Sequence, residues 1–213
     1  MKDKHAALAL IVDKSGSMNN CITDTIGGMN AFIRTQSKVE GSANITLVFF
    51  DHMLTTIHDY VDIKTVKEIT EEDYIPGGMT ALLDAIGITC KNLGDRLAAT
   101  PEEERPSKVI VAVITDGREN SSKEYNKKAI ADMIEHQTSK YNWDFNFISA
   151  DLAQLNEAKS YGFCDGNMSL YTAENTVAVY SALSAKISRG RAGKSSAFTV
   201  LEKRSMAGAN TQK

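Results

Sequence analysis

The chain lacks most of the features that would mark a special environment. No stretch approaches the ~20 consecutive apolar residues of a membrane span, and the apolar run from Ala6 to Val12 is cut short by Asp13. The same interruption leaves too short an apolar region, and no small-residue cleavage site, for a secretory signal. Cysteines are few. Cys21, Cys90 and Cys164 are far apart and odd in number, with no Cys-x-x-Cys pair and no histidine at metal-ligand spacing. That usage argues against a disulfide framework or a zinc knot and reads as free thiols of a reducing compartment. There is no Gly-x-x-x-x-Gly-Lys-Ser/Thr run to cradle a nucleotide's phosphates. Neither repeats nor low-complexity segments occur before residue 190. The expected location is the cytoplasm.

Surplus positive charge is missing too. Lys and Arg number 24 against 27 Asp and Glu, a net of −3, so the chain as a whole has no nucleic-acid footprint. The distribution is uneven, however. From Gly190 onward five basic residues face only Glu202, a net of +4, and residues 1–189 carry −7. This suggests a domain over 1–189 followed by a basic tail over 190–213, read as a solvated terminus. A chain of 213 residues with 42% hydrophobic content is enough for one α/β domain with a sizeable core.

Along the chain, strands and helices alternate. Residues 6–12 form a short, continuously apolar run that suits a strand buried on both faces. Residues 20–38 carry Ile22, Ile26, Met29 and Ile33 at helical spacing. The Gly27-Gly28 pair inside this helix implies close packing on the sheet. Asn44 to Phe50 and residues 55–63 read as a hairpin whose second strand is an edge. A helix follows from Thr80 through Leu97, and Thr100-Pro101-Glu102-Glu103 looks like the capped start of a short further helix. Lys108 to Thr115 is the strongest strand. Ser122 to Tyr141 reads as a helix with Ala129, Met133 and Ile134 inward, and Trp143 to Ala150 as another strand with its aromatics in the core. A short helix over 153–161, a short strand over 168–171 and a helix over 173–188 complete the pattern. The expected architecture is a three-layer, doubly wound, mostly parallel sheet with one antiparallel edge strand.

Three loops converge at the carboxyl ends of those strands, where such sheets bind ligands. Asp13, Ser15 and Ser17 follow the first strand at alternate positions, with Gly16 permitting a tight turn. Thr80 follows Gly77-Gly78 and precedes a helix. Asp116, with Gly117, ends the strongest strand. Two carboxylates and a set of hydroxyls are hard oxygen ligands that suit Mg²⁺ or Mn²⁺. One serine at this spacing would be an ordinary helix cap; three such residues within five exceed what a cap needs. Thr80 also suits a cap, and Asp116 a turn. Asp51 and Asp151 follow strands as well and read as loop residues at the rim. His52 and His58 read as solvated hairpin residues.

The set Asp13-Lys14-Ser15-Gly16-Ser17, Thr80 and Asp116-Gly117 resembles the metal-ion-dependent adhesion site of von Willebrand factor type A domains. The order of strand, helix and hairpin resembles that family over about residues 5–189. The stretch Gly77-Gly78-Met79-Thr80-Ala81-Leu82-Leu83-Asp84-Ala85-Ile86 resembles its intracellular bacterial and phage branch. The resemblance implies that Ser15, Ser17 and Thr80 contact the metal directly, and that Asp13 and Asp116 do so directly or through water. It further implies a non-enzymatic module that captures an Asp or Glu of a protein partner, in assemblies often built with AAA-type ATPases. The competing reading is a Mg²⁺-dependent phosphoester hydrolase with Asp13 as the reacting carboxylate. Hydrolases of that kind carry a second carboxylate two residues on, where this chain has Ser15. In the tail, the β-prone run Ala197 to Leu201 suggests either an added strand or disorder. Removal of residues 190–213 is expected to leave the domain folded.

Overall fold

The computed structural model describes residues 1–194 and 197–208; residues 195–196 and 209–213 of the expected tail lie outside the described residues. Among the described residues six strands form one sheet in the order β3-β2-β1-β4-β5-β6. They are β1 (Lys2–Asp13), β2 (Ser42–Phe50), β3 (Leu54–Asp62), β4 (Pro106–Thr115), β5 (Asp144–Ser149) and β6 (Met168–Leu170). Only the β2–β3 pairing is antiparallel, as the hairpin pattern predicts. The helices are α1 (Ile22–Ser37), α2 (Leu82–Ala99), α3 (Lys127–Tyr141), α4 (Leu152–Ala158), α5 (Thr176–Arg191) and α6 (Val200–Met206). No helix among the described residues is long and apolar enough to cross a membrane.

Alternation along β1 divides the core in two. Ala6, Leu8, Leu10 and Val12 face Met29, Phe32, Val179, Leu183 and Met206 of α1, α5 and α6. Ala7, Ala9 and Ile11 face Leu82, Ile86, Ile130 and Ile134 of α2 and α3. Successive side chains on a strand point to opposite faces, so a strand apolar at every position must be covered on both. This yields the three layers. The register sets Asp13 beside Phe50 and Thr115 beside Ser149. The carboxyl ends of the four central strands therefore lie level, and the loops after them share one edge.

Several local expectations give way to tertiary contacts. Gly28 packs not on the sheet but on α5, because a Cβ there would meet the ring of Tyr180; at Gly27 a Cβ would meet nothing within 4 Å. The helix expected from Ser122 begins at Lys127, capped by the Asn126 side chain accepting from the Ala129 N–H at 2.9 Å. The preceding residues are drawn off the helix by Asp84, whose carboxylate accepts the N–H groups of Lys123, Glu124 and Tyr125 at 2.7–2.9 Å. Ile130 and Ile134 are the buried residues of α3, with Ala129 and Met133 only half-buried. The acidic segment after Pro101 is a single 3₁₀ turn, Glu102–Glu104, and Thr100 ends α2 instead of capping a new helix.

The segment after Gly190 carries the largest difference. Ala197 to Leu201 is not a strand: α6 starts at Val200 through a capping box in which Thr199 and Glu202 satisfy each other's backbone. The 189/190 division falls inside α5. Phe198 and Met206 are buried in the core, Arg189 grips the Glu202 carboxylate with both terminal nitrogens, and Thr172 N–H donates to the Met206 carbonyl at 3.1 Å.

Candidate metal centre

β1 delivers Asp13 to the sheet edge with no exposed surface at all. A buried carboxylate must be satisfied, and this one is. Its Oδ1 accepts from the Ser15 N–H at 2.6 Å and its Oδ2 from the Thr115 hydroxyl at 2.5 Å. The Tyr74 hydroxyl donates to the Asp13 carbonyl at 2.5 Å. The chain then enters a 3₁₀ turn, Gly16–Cys21, with Met18 and Cys21 buried beneath it. This turn holds the Ser15 and Ser17 hydroxyls 3.1 Å apart. Ser17 donates to Asp116 Oδ1 at 2.5 Å, joining the first loop to the one after β4.

Thr80 arrives on a loop pinned from both sides. Gly77 N–H donates to the Lys14 carbonyl at 2.8 Å, and Gly16 N–H to the Gly78 carbonyl at 3.3 Å. Gly78 has φ +74, and a Cβ there would collide with the His52 ring, so glycine is required. Asn120 clamps the far side: its side chain accepts the Thr80 N–H at 2.8 Å, and its own N–H donates to the Thr80 carbonyl at 3.0 Å. Thr80 does not cap α2. Glu119 and Ser122 do so, accepting the Leu83 and Asp84 N–H groups at 2.9 and 3.1 Å. The buried Thr80 hydroxyl is thereby released from helix capping.

All five residues singled out in the sequence meet at this edge. Gly117 shows how closely. A Cβ built on it would lie 2.8 Å from Thr80 Oγ1, 3.3 Å from Asp13 Oδ2 and 3.4 Å from Ser15 Oγ. Three oxygens from two segments, the β1 loop and the Thr80 loop, thus surround one point on a third that only a glycine leaves open.

Burial raises the Asp13 carboxyl above the ordinary carboxylate value, against the hydrogen bonds from Thr115 and Ser15. Burial also pushes Asp116 up to about 6, with the Asp13 charge adding to the rise and the Ser17 bond opposing it. Neither carboxylate pairs with a Lys or Arg among the described residues. The nearest cation in sequence, Lys14, is turned away onto Asp51. Two desolvated carboxylates facing each other without a counter-charge are a poor arrangement for a bare protein and a good one for a cation. No group of three or more His, Cys, Asp or Glu able to hold a metal occurs among the described residues. This donor set is instead two carboxylates and three hydroxyls, which fits a small hard ion that keeps some of its water.

The rim residues are ties between loops. Asp51 is buried, accepts from the Met53 N–H at 2.6 Å, and offers its carbonyl to the Ala81 N–H at 2.7 Å. Asp151 caps α4 through the Gln154 N–H at 2.9 Å and pairs with Arg118 at 2.7 Å. His52 is exposed, whereas His58 is half-buried, with its Nε2 unpartnered. Sequence reasoning gave no role to Thr115, Tyr74, Glu119 or Asn120. The only signal for the first was its place as the last residue of β4; the other three act through backbone groups that no motif spells.

No protein-family model and no curated protein matches the sequence. Solved structures do match. The vWF domain of the type V pili tip protein Mfa5 from Porphyromonas gingivalis superposes with TM-score 0.61 at 12% identity, over 87% of this chain and 95% of that one. Manganese-loaded Plasmodium vivax TRAP protein gives 0.56 at 21% identity, over 84% and 72%. A D319A mutant of the PilB minor pilin from Streptococcus sanguinis gives 0.62 at 12% identity over 87% of this chain, which spans only 62% of the pilin. At such identities the likeness speaks for architecture: the chain has the α/β fold of von Willebrand factor type A domains.

Proposed function

We propose that the protein is a non-enzymatic interaction module that captures a carboxylate of a protein partner through Mg²⁺, or Mn²⁺ in its place, held by Asp13, Ser15, Ser17, Thr80 and Asp116. The observation that carries this reading is the donor set. Uncharged hydroxyls outnumber carboxylates, and the two carboxylates lack a counter-charge among the described residues. Ser15, Ser17 and Thr80 would hold the ion through neutral oxygens, and Asp13 and Asp116 would balance its charge directly or through water. A bound divalent ion would offer a Lewis-acidic position to a carboxylate oxygen from outside. Thr115, Tyr74 and Asn120 fix the donors so that little rearrangement accompanies binding. The manganese-loaded TRAP neighbour supports divalent binding in this fold.

The surroundings support a protein as the partner. Met53, Ile75, Met79 and Leu152 are all more than half exposed; the first three stand on loops at this same edge, and Leu152 opens α4 beside them. Large apolar side chains gathered around one polar point are typical of the centre of a protein interface, and methionines adapt to varied shapes. An AAA-type ATPase assembly is the partner class that the family resemblance brings forward. The hydrolase reading gains nothing from the geometry, since the Asp13 carboxylate is occupied by Thr115 and Ser15.

The test is affinity capture with the wild-type chain and Asp13→Ala, each with Mg²⁺ and with EDTA, read by mass spectrometry. Proteins retained only by the wild type with Mg²⁺ are the expected result. Capture that survives both EDTA and the substitution would overturn it. So would steady phosphoester turnover that Asp13→Ala abolishes.

A further inference from the structure

A second site lies at the opposite pole of the sheet. β1 separates Asp3 from Asp13 by ten residues, or about 30 Å at ~3.3 Å per residue. A hollow of about 590 Å³ opens there between the starts of β1 and β4 and the end of α5, with Lys4, Lys108, Arg191 and Lys194 in its wall. That volume is in the range of small-molecule sites, roughly 300–1,000 Å³.

The charges in this wall do not cancel. Lys4 is paired with Glu40, and the Asp3 carboxylate accepts the neutral Lys4 N–H at 2.9 Å and keeps its charge, so four basic groups in the wall face two acidic ones. Lys108, Arg191 and Lys194 have no carboxylate partner among the described residues. Arg191 is preset: its Nη1 donates to the carbonyl of Gln36 at 2.8 Å, and Gln36 is itself fully buried and bonded to Ser184 and Ser188. Arg191 Nε is buried and has no partner. Because Nε is closed to solvent and Nη1 is taken by Gln36, Nη2 is the nitrogen left to meet a ligand. The α5 terminus would repel an anion if its carbonyls were free, but the N–H groups of Ala192, Gly193 and Lys194 tie off those of Ser188, Gly190 and Arg189.

Two buried neighbours lie within reach of these charges. His5 is held below the usual histidine value by burial first, then by Lys2 and Arg191. Lys186 is lowered by burial, with Lys108 and Arg189 adding to the fall against Asp144. The backbone at the mouth is strained as well. Lys4 adopts φ +52 at an irregularity in the β1–β4 register, and Gly41 at φ +92 faces the Lys4 carbonyl, with which any Cβ would collide. Non-glycine residues in this region persist where surrounding structure enforces them, often beside binding sites.

We infer that this hollow binds the phosphate group of a small molecule, with Arg191 presenting its guanidinium to the phosphate and Lys108 and Lys194 supplying the remaining charge. A guanidinium nitrogen beside two ammonium groups matches a dianion better than a single carboxylate. The site is independent of the metal centre and stands whether or not that centre binds a cation.

The test is an amide NMR titration of the metal-free, full-length chain with inorganic phosphate and with ribose 5-phosphate, against chloride at equal ionic strength. Saturable shifts at Ser107, Gly190 and Gly193, with Gly117 at the other pole unmoved, are expected for both phosphates. Arg191→Gln and the double variant Lys108→Gln/Lys194→Gln should each weaken the response at least tenfold. The double variant alters exposed or half-exposed lysines, so it keeps the test valid if Arg191→Gln impairs folding. Phosphate shifts no larger than those of chloride, or a double variant that binds as the wild type does, would overturn the assignment.

Discussion

Exchanging Gly27 and Gly28 for alanine, one at a time, should move stability in opposite directions. Both lie inside α1, where glycine costs about 0.5–1 kcal/mol relative to alanine because its unfolded backbone is freer. At Gly27 the added methyl would meet nothing within 4 Å, so the full gain should appear. For a chain of this size that raises Tm by about 1–4 °C. At Gly28 the Cβ would lie 2.9 Å from both Cγ and Cε2 of the Tyr180 ring, and closer still to Cδ2. That ring is fully buried, so it cannot swing into solvent, and α5 must move instead. Overpacking of this kind costs about 1–3 kcal/mol. Against the propensity gain of about 0.5–1 kcal/mol, the net is a loss of up to about 2.5 kcal/mol, or up to about 10 °C in Tm. Urea unfolding followed by circular dichroism reads both changes. In a Tyr180→Leu background the obstructing ring is gone, so Gly28→Ala should cease to destabilise. Stabilisation by Gly28→Ala in the wild-type background, or equal losses at the two positions, would refute the packing of α1 on α5 described here.

Three further outcomes follow from other parts of the molecule. Gly117→Ala should remove divalent-ion binding in a calorimetric titration and cost the metal-free fold about 1–3 kcal/mol, because its methyl intrudes among Thr80 Oγ1, Asp13 Oδ2 and Ser15 Oγ. The rise in Tm produced by Mg²⁺ should be full at pH 7.5 and clearly reduced by pH 5, where proton competition at Asp116 weakens binding by about tenfold. Asp116 titrates at about 6 in the folded metal-free chain against 3.8 ordinarily, so its ionisation weakens the bare fold as pH rises through that window, and only the ionised form balances the cation. A chain ending at Arg191 should fold but lose about 3–6 kcal/mol in denaturant unfolding, since Phe198 and Met206 each contribute about 1.5–3 kcal/mol by burial.

The mostly parallel sheet with its antiparallel edge strand, and the loops at its carboxyl edge, were legible because they rest on local signals. Continuous apolar runs such as Lys108 to Thr115 belong in the middle of a covered sheet, and turn chemistry follows them directly. Asp13, Ser15, Ser17, Thr80 and Asp116 could be gathered from the rule that loops at strand carboxyl ends converge. What stayed hidden depends on partners distant in sequence. Gly28 faces Tyr180 from another helix. Asp84 draws residues 123–125 away from a helical pattern that begins, on periodicity alone, at Ser122. Asn120 and Glu119 act by gripping backbone groups of the Thr80 loop. The tail differs in kind: Thr199 and Glu202 at capping-box spacing were visible, but β-branched Thr199 and Val200 outweighed them in a strand reading. Tertiary burial of Phe198 and Met206 then stabilised the helix.

The proposed function requires one divalent ion held by five side chains. Titration of Mn²⁺ into the wild-type chain at pH 7.5, followed by the electron paramagnetic resonance signal of the free ion, tests that claim directly. One saturable site is expected in the wild type, at least tenfold weakened in Ser15→Ala and in Asp116→Ala, with Mg²⁺ competing for it. A wild-type chain that leaves the Mn²⁺ signal undiminished, or a Ser15→Ala chain that depletes it equally, would contradict the assignment.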